Sequence, residues 1–94
     1  MIHFTLNLYI NFYYVIKELK MKKNDYLKHL AKIFEKKSIN EQDHLKDLEF
    51  DSLIGLDITT FNDEYFPNLK IDYEKIEKSK TIKDLMKLYG SEIN

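Results

Sequence analysis

The apolar residues of this chain change their period part-way along it. Near the start they alternate, at Ile2, Phe4, Leu6, Leu8, Ile10 and Phe12, with His3, Thr5, Asn7 and Asn11 between them. That is the period of a strand. From Asn24 they recur at steps of three and four, at Tyr26, Leu27, Leu30, Ile33 and Phe34, the period of an amphipathic helix. The break falls at Met21-Lys22-Lys23, which reads as a fresh start of a protein. Residues 1–20 are therefore expected to be an N-terminal extension outside the core, with an extra element packed on the domain as the alternative, and residues 21–94 the folded domain. The extension is too short and too polar for a membrane span, which needs about 20 apolar residues. It also lacks the basic start and small-residue cleavage site of a signal peptide.

Helical periodicity continues to the end of the chain. Asn24 is a candidate cap for a first helix over about 24–37. Residues 38–51 read as a long link with Ile39, Leu45, Leu48 and Phe50 as apolar anchors. A second helix is expected from Ser52 to just before Pro67, with Ile54, Ile58, Phe61 and Tyr65 along one face. Gly55, Thr59 and Thr60 are weak helix formers that together cost roughly 2 kcal/mol relative to Ala, so this helix depends on tertiary packing. A short third helix is expected over 72–78, capped by Asp72 and anchored by Ile76. Thr81 and Asp84 have the spacing of a capping box. Ile82, Leu85, Met86 and Tyr89 then give the last helix a core face, and Gly90 closes it. The expected fold is all-α: a small antiparallel four-helix bundle of three main helices and one short one, with one long link. Two glycines and one proline in 94 residues leave little turn material for a β fold.

A chain of this length forms one small domain, in which a deep catalytic cleft is hard to build beside a core. The absence of cysteine removes disulfides, thiolate metal ligation and a cysteine nucleophile, and reads as intracellular. His3, His29 and His44 lack metal-ligand spacing, so no metal site is expected. Charge is segregated along the chain: residues 21–39 carry a net +4, residues 40–77 a net −8 and residues 78–94 a net +2. An acidic middle suits docking to a basic partner. Basic clusters with interleaved aromatics, which would suggest nucleic acid, are absent.

The candidate functional residue is Ser52, in Leu48-Glu-Phe-Asp-Ser-Leu-Ile-Gly-Leu-Asp57. The hexapeptide Phe50–Gly55 resembles the Gly-Asp-Ser-Leu block of a lipase class. Such enzymes need a base and an oxyanion hole on an α/β scaffold; no alternation of strands and helices is present, and nothing marks His29 or His44 as a base. A serine that another enzyme modifies fits better. At the first position of a helix it faces free backbone N–H groups and the positive end of the dipole, which stabilise an attached phosphate. The simpler alternative is that Asp51 or Ser52 only caps the helix.

The order of residues around Ser52 resembles the acyl carrier protein family of phosphopantetheine-binding carriers. Asp47, Leu48, Asp51, Ser52 and Leu53 match the block around the family's modification site. Downstream, Phe66, Leu69, Ile71, Ile76, Thr81, Ile82 and Leu85 fall in matching places, so the resemblance covers about residues 22–90. Departures are Glu49 where the family usually has Gly, Pro67 after Phe66 with about one extra residue before Leu69, Gly55, Thr59 and Thr60 at positions usually aliphatic or acidic, a shorter link, and a less acidic chain. They point to a specialised pathway.

The resemblance implies a carrier-protein domain over residues 21–94 that is not itself an enzyme and has no catalytic residue. It implies that a phosphopantetheinyl transferase attaches 4'-phosphopantetheine from coenzyme A to Ser52, and that an acyl or aminoacyl group rides on the arm as a thioester. Asp51 would help the transferase, and Leu53 completes the motif. Asp57, Asp63 and Glu64 would meet basic patches on partners, among them an acyl- or aminoacyl-loading ligase and acyltransferases. Leu53, Ile54, Ile58, Phe61, Ile71 and Ile76 would line an acyl slot, or simply pack the core. Such a carrier is expected to be cytoplasmic and monomeric. A second expectation stays open, in which the chain is a degenerate carrier fold, a helical interaction module without the arm.

Overall fold

The computed structural model describes residues 20–94; the alternating segment and all but the last residue of the expected extension lie outside the described residues. The described residues form four helices, α1 (Lys23–Ile33), α2 (Ser52–Tyr65), α3 (Tyr73–Lys78) and α4 (Ile82–Lys87), followed by a 3-10 turn at Gly90–Glu92. Among the described residues the only β pairing is two isolated bridges, Met21 with Ile93 and His44 with Thr81. Within the described residues the fold is all-helical, as expected, and α2 is the central element, packed on both α1 and α3.

The start of α1 differs from expectation. Lys22, not Asn24, occupies the cap position, and no side chain caps the helix. The reason lies at the other end of the chain. The backbone N–H of Met21 donates to the Glu92 carbonyl (3.1 Å), that of Lys23 to the Asn94 carbonyl (2.9 Å), and that of Asn94 back to the Met21 carbonyl (2.9 Å). The Asn94 carbonyl thus satisfies a first-turn donor that a side chain would otherwise take.

The end of α1 differs too. The helix stops at Ile33 rather than 37, because Glu35 adopts a left-handed conformation (φ 58°). The N–H of Glu35 donates to Lys32 (3.2 Å) and that of Lys36 to Ala31 (2.8 Å), the pair of bonds that defines a Schellman termination. The same device recurs in the link. One helical turn around residues 44–48 ends with Glu49 at φ 63°, Glu49 N–H bonding Lys46 (3.2 Å) and Phe50 N–H bonding Leu45 (3.1 Å). Ile39, Leu45 and Leu48 are buried as expected and Phe50 is half-buried. The link is also stitched to the start of α4, through Leu45 N–H to Lys80, Ile82 N–H to Asp43 and Lys83 N–H to Glu41, each 2.9 Å.

α3 begins after Asp72, whose side chain makes no capping bond. The capping box of α4 is present in full: Asp84 N–H donates to Thr81 Oγ1 (3.1 Å) and Thr81 N–H to Asp84 Oδ2 (3.2 Å). The bond from the Thr81 backbone holds the Asp84 carboxyl below its ordinary range. α4 is short rather than a third main helix. Past Leu88 the chain turns through Gly90 (φ 58°), which carries Ile93 and Asn94 back to Met21–Lys23.

The core joins Tyr26, Leu30 and Phe34 to Ile58 and Phe61 of α2, Ile76 of α3 and Ile82, Leu85 and Tyr89 at the C-terminal end. Its centre is aromatic. Tyr26 meets Tyr89 and Phe61 edge to face, with centroids 4.8 and 5.9 Å apart, and Phe66 meets Tyr89 at 5.1 Å, geometries that suit ring quadrupoles. One buried amide lies among these rings: Asn62 accepts the Tyr89 hydroxyl hydrogen bond at 2.5 Å. Burial pushes the Tyr89 hydroxyl pKa up to about 12 and raises that of Tyr26 well above its ordinary value.

Candidate functional site

The start of α2 is built by Asp51. Its backbone is extended, and Oδ1 accepts the Ile54 N–H at 2.9 Å while its carbonyl accepts the Gly55 N–H at 3.0 Å. The cap is therefore Asp51 and not Ser52. That leaves Ser52 as the first helical residue, exposed, with its own N–H and that of Leu53 in the first turn, where no intrahelical carbonyl reaches. The helix carries no acidic residue in its first turn. Two unpaired donors and the positive dipole end beside an exposed hydroxyl are suited to a phosphate ester on Ser52.

The expected docking acids share one face. Leu53, Leu56, Asp57, Thr60, Asp63 and Glu64 are all exposed and follow helical spacing along α2. The stripe is apolar beside Ser52, where Leu53 is 69% and Leu56 56% exposed, and acidic towards the C-terminal end. Leu56 is missing from the sequence-derived site; its spacing of three from Leu53 is the signal that marks it.

The expected acyl slot is divided by the fold. Ile58, Phe61 and Ile76 are buried in the core, Ile54 and Ile71 are half-buried against it, and Leu53 faces outward and does not join them. Tyr65, expected on the buried face, is 46% exposed.

Gly55 has a role that helix propensity does not suggest. A β-carbon there would run into the ring of Tyr73 and lie 3.2 Å from Phe50 Cζ. The glycine lets α3 close onto α2 immediately behind Ser52. Thr59 and Thr60 satisfy their hydroxyls within the helix, donating to the carbonyls of Gly55 (3.0 Å) and Leu56 (3.1 Å).

His29, expected on the surface, is half-buried, its ring lying 5.0 Å from Phe61 and 4.9 Å from Tyr65. Among the described residues no group of three or more His, Asp or Glu is arranged to hold a metal, and no helix is long and apolar enough to cross a membrane. Comparison of the chain with protein-family models, with curated proteins and with solved structures found no match to any of them.

Proposed function

We propose that this chain is a carrier of the acyl-carrier-protein type, modified on Ser52 with 4'-phosphopantetheine and acting in a specialised biosynthetic pathway. The observation that carries the reading is the exposure of Ser52 at the first position of α2, with Asp51 as the cap before it. Glu49 supports it further. The family usually has Gly at that position, and Glu49 holds the left-handed conformation that glycine favours.

The residues present fit the arm. Ser52 offers an accessible hydroxyl that would carry the phosphodiester, and the first-turn N–H groups of Ser52 and Leu53 would stabilise its charge. When bound, the arm supplies a thiol that holds an acyl or aminoacyl group as a thioester. The protein's part is to position it, and none of its own residues acts as a catalyst. Leu53 and Leu56 offer apolar contact beside the arm, and Asp57, Asp63 and Glu64 tune encounter with basic partner surfaces. Of the residues expected to line a slot, Ile54 and Ile71 are half-buried, so an entering acyl chain would reach either before the buried Ile58, Phe61 and Ile76.

The test is incubation with coenzyme A, magnesium and a broad-specificity phosphopantetheinyl transferase, read by intact mass, with Ser52→Ala as control. A gain of one phosphopantetheine, absent from the variant, is the expected result. No gain from a folded protein, with a cognate transferase also tried, would move the reading to an interaction module without the arm.

A further inference from the structure

The buried stripe of α2 that starts beside Ser52 runs through Gly55, Ile58 and Asn62, at helical steps of three and four. On α3, which packs against α2, Tyr73 and Ile76 are likewise one turn apart. Gly55 lies about 4.5 Å along the helix axis from Ser52, and Ile58 about 9 Å. An arm on Ser52 that turned back between the two helices would therefore pass Gly55 first.

The notch that this glycine leaves is not open. The ring of Tyr73 fills it so closely that a β-carbon on Gly55 would clash with the ring, and Phe50 Cζ lies 3.2 Å from the same β-carbon position. Phe50 is itself anchored, its ring tilted against the buried Phe34 with centroids 6.4 Å apart. Tyr73 is placed by its position as the first residue of α3. Two aromatic rings thus close the seam one turn in from Ser52. Beyond them Ile58 and Ile76 are fully buried. The next position of the stripe is Asn62, whose side chain accepts the Tyr89 hydroxyl hydrogen bond. An alkyl tail forced past the rings would overpack the core and then meet a polar pair.

We propose, on the carrier reading above, that Tyr73 with Phe50 excludes long acyl chains, and that the cargo is a short acyl group, aminoacyl included, which stays outside the helices. Tyr73 is then the residue that sets cargo length. A short thioester held outside needs no slot, in keeping with the division of the expected slot residues between core and surface.

The experiment uses a broad-specificity phosphopantetheinyl transferase to place acetyl- or octanoyl-phosphopantetheine on Ser52 from the matching acyl-coenzyme A, with intact mass confirming the load. Cleavage of each thioester by hydroxylamine is then timed, with the two free acyl-coenzyme A compounds as references. Burying two methylenes shifts an equilibrium about tenfold, so a sequestered octanoyl chain would slow cleavage by about that much or more. The parent should cleave both thioesters at the rates of their free references. In Tyr73→Ala the octanoyl thioester should become about tenfold slower or more, and Tyr73→Phe should restore the parent's rates. Tyr73→Val takes the place of Tyr73→Ala if the latter loses its helical circular dichroism. Slowed octanoyl cleavage in the parent, or no slowing when the ring is removed, would overturn the role of Tyr73 and leave Ser52 a carrier site. No load on Ser52 of a folded protein from either acyl-coenzyme A would overturn the carrier reading itself, and the cargo assignment with it.

Discussion

The ring of Tyr73 in α3 occupies the space beside Gly55 that a β-carbon would need. On helix propensity alone Gly55→Ala would stabilise α2 by about 1 kcal/mol. The contact reverses the sign, and the expected result is a loss of about 1–3 kcal/mol from overpacking, measured by urea unfolding. Gly55→Ala/Tyr73→Ala should lose less than the two single changes added together. Stabilisation by Gly55→Ala alone would show that α3 yields freely.

Glu35 and Glu49 hold conformations that cost an L-residue about 1–2 kcal/mol. Part of that is offset by the backbone entropy a glycine would lose. Glu35→Gly and Glu49→Gly should therefore each raise stability by about 0.5–1 kcal/mol. Thermal unfolding of the single and double variants is the measurement, and the two gains should add because the turns close on separate carbonyls, Lys32 and Ala31 in one and Lys46 and Leu45 in the other.

Tyr26 and Tyr89 both ionise less readily when folded than when unfolded. Below pH 10 both are protonated in either state, so their contribution is constant. Above it the unfolded chain releases protons first, and stability falls as the pH rises towards the folded Tyr89 value of about 12. Urea midpoints followed across this range should drop. Tyr89→Phe should flatten the drop, and at neutral pH should cost about 1–3 kcal/mol, since Asn62 Oδ1 loses its donor in a buried site.

On the carrier reading, the outward leucines are recognition residues. Leu56→Asp should leave stability within about 0.5 kcal/mol of the parent while slowing phosphopantetheine attachment in the mass assay. Asp51→Ala should cost about 1 kcal/mol through loss of the cap. Asp51→Asn keeps the cap, so any slowing of attachment it causes would report a role for the carboxylate itself.

What the sequence discloses follows from how far apart the partners are. The capping box is legible because Thr81 and Asp84 are three residues apart, and α2 is legible because Asp51 and Pro67 punctuate it. The end of α1 is not, because Glu35 takes a glycine's conformation with no glycine to announce it. The start of α1 is missed because the group that satisfies Lys23 is the carbonyl of Asn94, at the opposite end of the chain. Gly55 looks like a weakness until Tyr73 is set beside it. Leu56 lies off the face marked by Ile54, Ile58 and Phe61, and its 56% exposure sets it beside Leu53. At the candidate site, Ser52, Asp51 and the three acids are found where helical spacing puts them, whereas the slot residues separate into core and surface.

The pairing of Met21–Lys23 with Glu92–Asn94 also has a mechanical meaning. The two segments run parallel, so tension pulling residue 20 and residue 94 outward in opposite directions slides them past each other. Three hydrogen bonds then bear the load together, instead of opening one after another as in a zipper. A domain clasped in this way transmits a pull between its two ends through the clasp, and α2 with Ser52 is spared the strain until the clasp gives.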